Sequence, residues 1–404
     1  MRITIITVLL IFLTIVSCNI NHETEKLSDY ISCIKKMGTY KTASEYTLDQ
    51  FQKYDYIIMT ERSHAEKTQY DLYFEIINSE YFITNVGVIF TEIGSVSCSE
   101  KIQSFLMTEF TSDSLRNETL LEIYKDLTYS PIWEKYNFYY FLDSLNKINS
   151  ALPDSLKIEL YTSDIRFPGW ANIKDAHDYR NMLQNTPSSS RDSVMAQNIF
   201  NVIDSGKSKA LVIMNYRHGF GHNIKTITNG DTVEIPCVGK LMKDKYGKRV
   251  ASFFINSMAY LPLANLDSDD SEIPIHQGKW DATFKYLNID NIGFSFFDTK
   301  FGNDTLDIWP YFQDTLKYED IFDGFLFYKP LNQHILIDGI PNLMTTEFAE
   351  EFERRTVIVQ SVWNYEDSGV KSNIKEEVDY LKDTSMYYYE NIDKKMKIIN
   401  NWLK

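Results

Sequence analysis

The sequence is short of the features that mark several enzyme classes. It holds four cysteines in 404 residues, at positions 18, 33, 98 and 237. No two form a CxxC pair, and none sits at a zinc-binding spacing. Cys33, Cys98 and Cys237 are expected as small, buried, unpaired thiols, with one disulfide as the alternative in an oxidising compartment. Positive charge is short as well. The 41 Lys and Arg against 56 Asp and Glu leave a net charge of −15. Such a chain repels phosphate backbones, and its aromatics are not interleaved with basic residues, so no nucleic-acid partner is expected. There is no GxSxG elbow for a nucleophilic serine and no HExxH zinc helix. There is no GxxxxGK[ST] phosphate loop, and the "GFG" at 219–221 is too short to replace one. No internal repeat or low-complexity block is present.

What is there is globular in kind. The chain is 44% hydrophobic, 24% charged and 14% aromatic, with ample apolar content for a large core. An apolar run follows Arg2, from Ile3 to Val16. It falls short of the roughly 20 residues that span a bilayer and suits the apolar region of a secretory signal. The run closes on Ile15-Val16-Ser17-Cys18, which resembles the lipobox of bacterial lipoproteins. That resemblance implies cleavage before Cys18, a lipid on its thiol, and attachment to a membrane of the cell envelope, periplasmic or outer. The expected organisation is a signal peptide over 1–17, a lipidated cysteine with tether and N-terminal helix over 18–45, and one α/β domain over 46–404.

Past that leader, short apolar runs alternate with segments of helical spacing. Strands are expected at Tyr54–Thr60, Asn85–Phe90, Lys157–Ser163, Lys209–Met214, Val250–Ile255, Ile292–Phe297 and Gly324–Tyr328. Helices are expected at Glu66–Asn78, Ser99–Met107, Ser114–Leu127, Pro131–Asn149, Ile173–Leu183, Ser190–Ser205 and Gly239–Tyr246, with a charged helical tail after Thr345. This order predicts an α/β fold: a mainly parallel sheet flanked by helices, with helical insertions and a helical C-terminal tail. The acidic run Asp267–Glu272 lacks the glycine and distal Glu of a calcium loop and is read as solvated loop.

Ligands of parallel sheets gather at the carboxyl ends of strands. Those ends carry Glu61, His64 and Glu66, then Glu92, then Asp164, then Arg217 and His218. A carboxylate directly after "GVIFT" is expected to be partly desolvated and therefore paired. His64 with Glu92 makes a workable acid–base pair, the carboxylate orienting the imidazole. His218 and Arg217 would supply a second proton donor and a cation for a developing oxyanion. His64, Glu61, Glu92, His218 and His222 are also of metal-binding types. Metal-free acid–base chemistry is the leading reading. No cofactor is assigned, and a divalent metal is the alternative. His218 and His222 are four apart, but Gly219 and Gly221 argue against a helix between them.

Several segments together resemble the erythromycin esterase family. "TERSH" at 60–64 resembles its GExxH motif, and "TEIGS" at 91–95 its second motif. "RDSVMAQNI" at 191–199 is close to its R-D-x-x-M-A-x-N helix. "LVIMNYRHG", "GKLMKDKYGKRVASFFI" and "FDGFLFYKP" follow in the family's order. The matches run from about residue 54 to 330. The resemblance implies an α/β superfamily that also holds a haem-uptake lipoprotein family and the Tiki metalloproteases. It implies water activation by His64 and Glu92 against an ester or lactone, with Glu61 as first-motif glutamate and Arg191 and Asp192 as the helix pair. Thr60 and Ala65 stand where the family has glycine. Asn215 stands at the first histidine of its H-N-x-H pattern and His218 at the second, with His222 as a substitute. The expectation is a lipid-anchored hydrolase acting on a small molecule. The alternatives are a haem- or ligand-binding protein on the same scaffold and a metal-dependent hydrolase or protease.

Overall fold

The computed structural model describes residues 26–184, 191–228, 231–260, 272–308, 316–363 and 374–404. The signal run, Cys18 and residues 267–271 of the acidic loop lie outside the described residues. Eleven strands are assigned: β1 (Tyr56–Glu61), β2 (Val88–Ser95), β3 (Glu159–Asp164), β4 (Ala210–Asn215), β5 (Asn223–Thr228), β6 (Asp231–Pro236), β7 (Val250–Ile255), β8 (Met258–Tyr260), β9 (Glu272–Pro274), β10 (Asn291–Ser295) and β11 (Gly324–Tyr328). Seven of them form one sheet in the order β10-β11-β7-β1-β4-β2-β3. Every adjacent pair is parallel except the edge pair β10–β11.

The chain winds outward from β1 to β2 and β3, returns to insert β4 beside β1, then continues to β7 on the other flank. The central strand is buried along its whole length, as expected when helices cover both faces. Successive residues of β1 point to opposite layers. Ile57 and Met59 pack with Tyr70, Tyr73 and Phe141. Tyr56 and Ile58 pack with Met195 and Ile199 of the helix Arg191–Asp204. A third cluster gathers Trp280, Phe284, Phe301, Tyr318 and Phe325 beside the antiparallel edge. There Tyr30 Oη and Trp280 Nε1 donate to the buried carboxylate of Asp304 at 2.6 and 2.7 Å. Each such ring contributes roughly 1.5–3 kcal/mol through burial. Much of the aromatic content is therefore core. Tyr30 brings the helix Leu27–Lys36 into that core.

Strands β7 and β11 and the helix Ser99–Met107 have the bounds their sequence pattern predicts. Other segments differ: the helices Glu80–Asn85 and Lys279–Leu287 and the pair β8–β9, for example, have no counterpart among the expected elements. The helix expected from Pro131 begins at Tyr136, because Lys135 is extended and its carbonyl accepts from Tyr124 Oη at 2.7 Å. Residues 131–135 are thereby left as an irregular segment. The antiparallel hairpin β5–β6 was not foreseen at all. Among the described residues no helix is long and apolar enough to cross a membrane.

Candidate active site at the strand carboxyl ends

Four parallel strands deliver ionisable groups to one rim of the sheet. β1 ends on Glu61, β3 on Asp164 and β4 on Asn215. Glu92 lies where the pairing of β2 with β3 shifts register between Thr91 and Ser95. Gly94 makes that irregularity possible. Its φ is +94°, and a Cβ there would stand 2.5 Å from Thr162 Cγ2.

The turn after β1 is held rigidly. Gln69 accepts from the Arg62 amide at 2.6 Å and donates to the Ser63 carbonyl at 2.8 Å. Arg62 and Glu66 form a buried ion pair, with Nε to Oε2 at 2.5 Å and Nη2 to Oε1 at 3.0 Å. Arg62 also reaches Asn256 and His334. Glu66 is thus fully buried beneath the turn, bracing it, rather than facing a substrate. Thr60 uses its hydroxyl to accept from the Ile255 amide at 3.1 Å, tying β1 to β7.

This turn presents His64, whose side chain is 27% exposed. Its neighbours are not those the sequence reading assigns. His64 Nδ1 lies 3.2 Å from Glu61 Oε2 and 2.9 Å from Glu134 Oε1, and both carboxylates are buried. Tyr70 Oη donates to the other oxygen of Glu61 at 2.6 Å. Burial pushes Glu61 up to about 7, against the pull of His64 and Tyr70 and with the help of Glu134. Burial would lower His64, but Glu134 and Glu61 outweigh it and hold the imidazole well above its usual value.

Glu92 belongs to a second cluster, so the predicted His64–Glu92 pair is not formed directly. Glu92 Oε1 lies 2.9 Å from Arg191 Nη1 and 3.2 Å from His218 Nε2, and Oε2 accepts from the Asn215 amide at 2.8 Å. Arg191 grips Asp164 with two nitrogens, at 2.8 and 3.0 Å. His218 Nδ1 meets Asp192 Oδ1 at 2.7 Å. Burial would raise Glu92, yet His218 and Arg191 hold it well below the carboxylate range. Burial would lower His218, yet Glu92 and Asp192 hold it above its usual value. Asp164 is pushed up by burial despite Arg191. Both ring nitrogens of His218 are engaged inside the protein, which is the geometry of a charged brace.

Asn215 has a structural part: its side chain accepts from the Arg217 amide at 3.2 Å, fixing the turn. Arg217 is half-buried, with Nη2 3.4 Å from His218 Nε2. His222 is exposed at the entry to β5, and its described contact is with the Asn223 carbonyl, outside this cluster. The two clusters meet at Trp133. Its ring centroid is 5.0 Å from that of His64 and 4.9 Å from the Arg191 guanidinium carbon.

Sequence reasoning missed Trp133 and Glu134 and left Arg191 and Asp192 as a helix pair. The first two sit on the irregular segment before Tyr136, which no strand precedes. The last two were visible in "RDSVMAQNI", where a charged pair opens an otherwise apolar helix face. A separate hollow of about 400 Å³ lies at the β10 edge among Tyr40, Lys41, Tyr46 and Phe297. It lies outside the convergence of His64, Glu92 and Arg191.

No protein-family model matches the chain, and no curated protein matches it. Among solved structures it is similar to a succinoglycan biosynthesis protein, with a TM-score of 0.50 at 9% identity, over 75% of this chain and 97% of that one. It is also similar to a protein from Bacillus cereus, with a TM-score of 0.47 at 11% identity over 75% and 97%. A mutant of the erythromycin esterase EreC in its open conformation gives 0.46 at 8% identity over 70% and 92%. At such identities a likeness is one of fold. The chain is a mixed α/β protein with a mostly parallel seven-stranded sheet, and its ionisable side chains cluster at the carboxyl rim.

Proposed function

We propose that the protein is a hydrolase of ester or lactone bonds in a small molecule, held at the cell envelope by a lipid on Cys18. The observation that carries the reading is the meeting of two unlike clusters at one indole. His64 is the exposed member of a carboxylate-rich cluster, and Arg191 is the cation of the other; both touch Trp133. A carbonyl bound there has a proton acceptor on one side and a guanidinium on the other.

In this reading a water oxygen attacks the acyl carbon. Its proton is taken up by the Glu61–His64–Glu134 cluster, where Glu61, pushed up to about 7, is the group poised to accept it. Negative charge on the carbonyl oxygen is met by Arg191 and Arg217. The acyl–oxygen bond then breaks, and the cluster returns the proton to the leaving oxygen. The products are an acid and an alcohol, or one hydroxy acid from a lactone. A positioned proton acceptor contributes about 10²–10⁴ in rate and one oxyanion partner about 10²–10³. The ordered motifs from 60–64 to 191–199 support the same chemistry. Many of the aromatic residues that favour a haem-binding reading pack in the core clusters.

The test is a panel of esters, lactones and amides offered to the purified protein. Turnover confined to esters or lactones is expected. No hydrolysis of any member overturns the reading.

A further inference from the structure

We propose that Glu61, His64 and Glu134 form a binding site for one divalent transition-metal ion. The proposal deepens the hydrolase reading, since it concerns the same cluster, but it rests on coordination geometry and is tested by binding.

Charge is the first consideration. Two buried carboxylates share one imidazole; of the cations around the site, Arg191 and His218 hold Glu92 and Arg62 holds Glu66. With both carboxylates ionised, one imidazolium leaves the cluster a charge short, and buried unmatched charge is costly.

Geometry is the second. His64 Nδ1, Glu61 Oε2 and one carboxylate oxygen of Glu134 all lie within 4.8 Å of one another. Nitrogen and oxygen ligands at about 2.0–2.2 Å from a common ion stand roughly 3–3.5 Å apart. The observed 3.2 and 2.9 Å separations from Nδ1 are of that size.

Hydrogen bonding is the third. The contacts of Nδ1 with the carboxylates are short but out of line for hydrogen bonds. Glu61 Oε2, His64 Nδ1 and both oxygens of Glu134 are buried without a hydrogen-bond partner. Buried polar atoms are normally satisfied, and atoms that point together without bonding one another are placed as ligands are. The Tyr70 hydroxyl on the outer oxygen of Glu61 orients that carboxylate as an outer-shell partner does.

One imidazole and two carboxylates suit zinc, manganese or iron(II) better than calcium or magnesium. An ion held there would supply a bound water of lowered pKa.

The protein is stripped with a chelator and titrated with Zn²⁺ and, separately, Mn²⁺ by calorimetry. One equivalent is expected to bind. E61Q and E134Q are each expected to weaken binding at least tenfold, and the metal-induced rise in unfolding midpoint seen for the wild type should disappear. D307N, whose carboxylate accepts from the Tyr318 hydroxyl beside the Trp280 core, should bind as the wild type does. Should the glutamine variants fail to fold, the zinc absorption edge of the wild type decides: one imidazole with oxygen ligands supports the site. Absence of stoichiometric binding, undiminished binding in both variants, or a shell with sulfur or several imidazoles overturns it. Binding without turnover keeps the site and sinks the hydrolase reading. Turnover without binding does the reverse.

Discussion

Arg191 and Glu92 set the electrostatics of one half of the site. Glu92 is 1% exposed and satisfied by Arg191, His218 and the Asn215 amide. E92Q leaves two cations facing a neutral amide, and removing one partner of a buried pair costs about 3–5 kcal/mol. Asp164 still holds Arg191, so a loss near about 3 kcal/mol is expected in denaturant unfolding. The same pair fixes a pH dependence. Glu92 is depressed below its ordinary 4.5, so its contribution is present above 4.5 and lost as pH falls through the depressed value. His218 is raised above its ordinary 6.5, so its contribution is full below 6.5 and lost as pH rises through the raised value. The stability gap between wild type and H218Q is therefore expected to be widest between 4.5 and 6.5 and to narrow at alkaline pH. A gap that stays flat or widens with alkalinity contradicts this. The presence of Glu61, His64, Glu92 and His218 at strand ends was legible in the sequence. Their partners were not, because a pairing between β2 and the helix Arg191–Asp204 spans about a hundred residues, and spacing carries no such information.

Elements bring these residues together through close backbone approaches. The helix Val238–Tyr246 packs its second residue, Gly239, against the turn carrying His218. The Gly239 amide donates to the His218 carbonyl at 2.9 Å, and a Cβ on Gly239 would lie 2.4 Å from the Gly219 carbonyl oxygen. G239A must move either the helix or the turn. Its expected signature is a loss of turnover of at least about tenfold, with an unfolding midpoint lowered by a few degrees. Wild-type kinetics in G239A would show that the turn has no part in the site. Apolar runs and their breakers marked β7 and β11 to the residue. The hairpin β5–β6 is polar and alternates weakly; its sequence signal was the Asn229-Gly230 dipeptide between two short runs. Glu134 was hidden for another reason. Helical spacing continues back to Pro131, and only the tertiary bond from Tyr124 to the Lys135 carbonyl shows that the helix starts later.

At the scale of the whole molecule, a parallel sheet explains why the chemistry lies on one rim. Strands running the same way end on the same side, and their last residues converge. The proposed lipid anchor carries its own test. Fatty-acylation at Cys18 predicts that the full-length protein partitions with membranes and incorporates labelled palmitate, and that C18A does neither. Incorporation undiminished in C18A would place the lipid elsewhere. In the proposed function the carboxylate cluster and the cationic cluster act on one substrate across Trp133. The most direct measurement is steady-state hydrolysis by H64A and R217A beside the wild type, each with its unfolding midpoint. The expected result is a fall in kcat of about 10²–10⁴ in H64A and about 10² or more in R217A, with both variants still folding cooperatively. Wild-type turnover in either folded variant would contradict it.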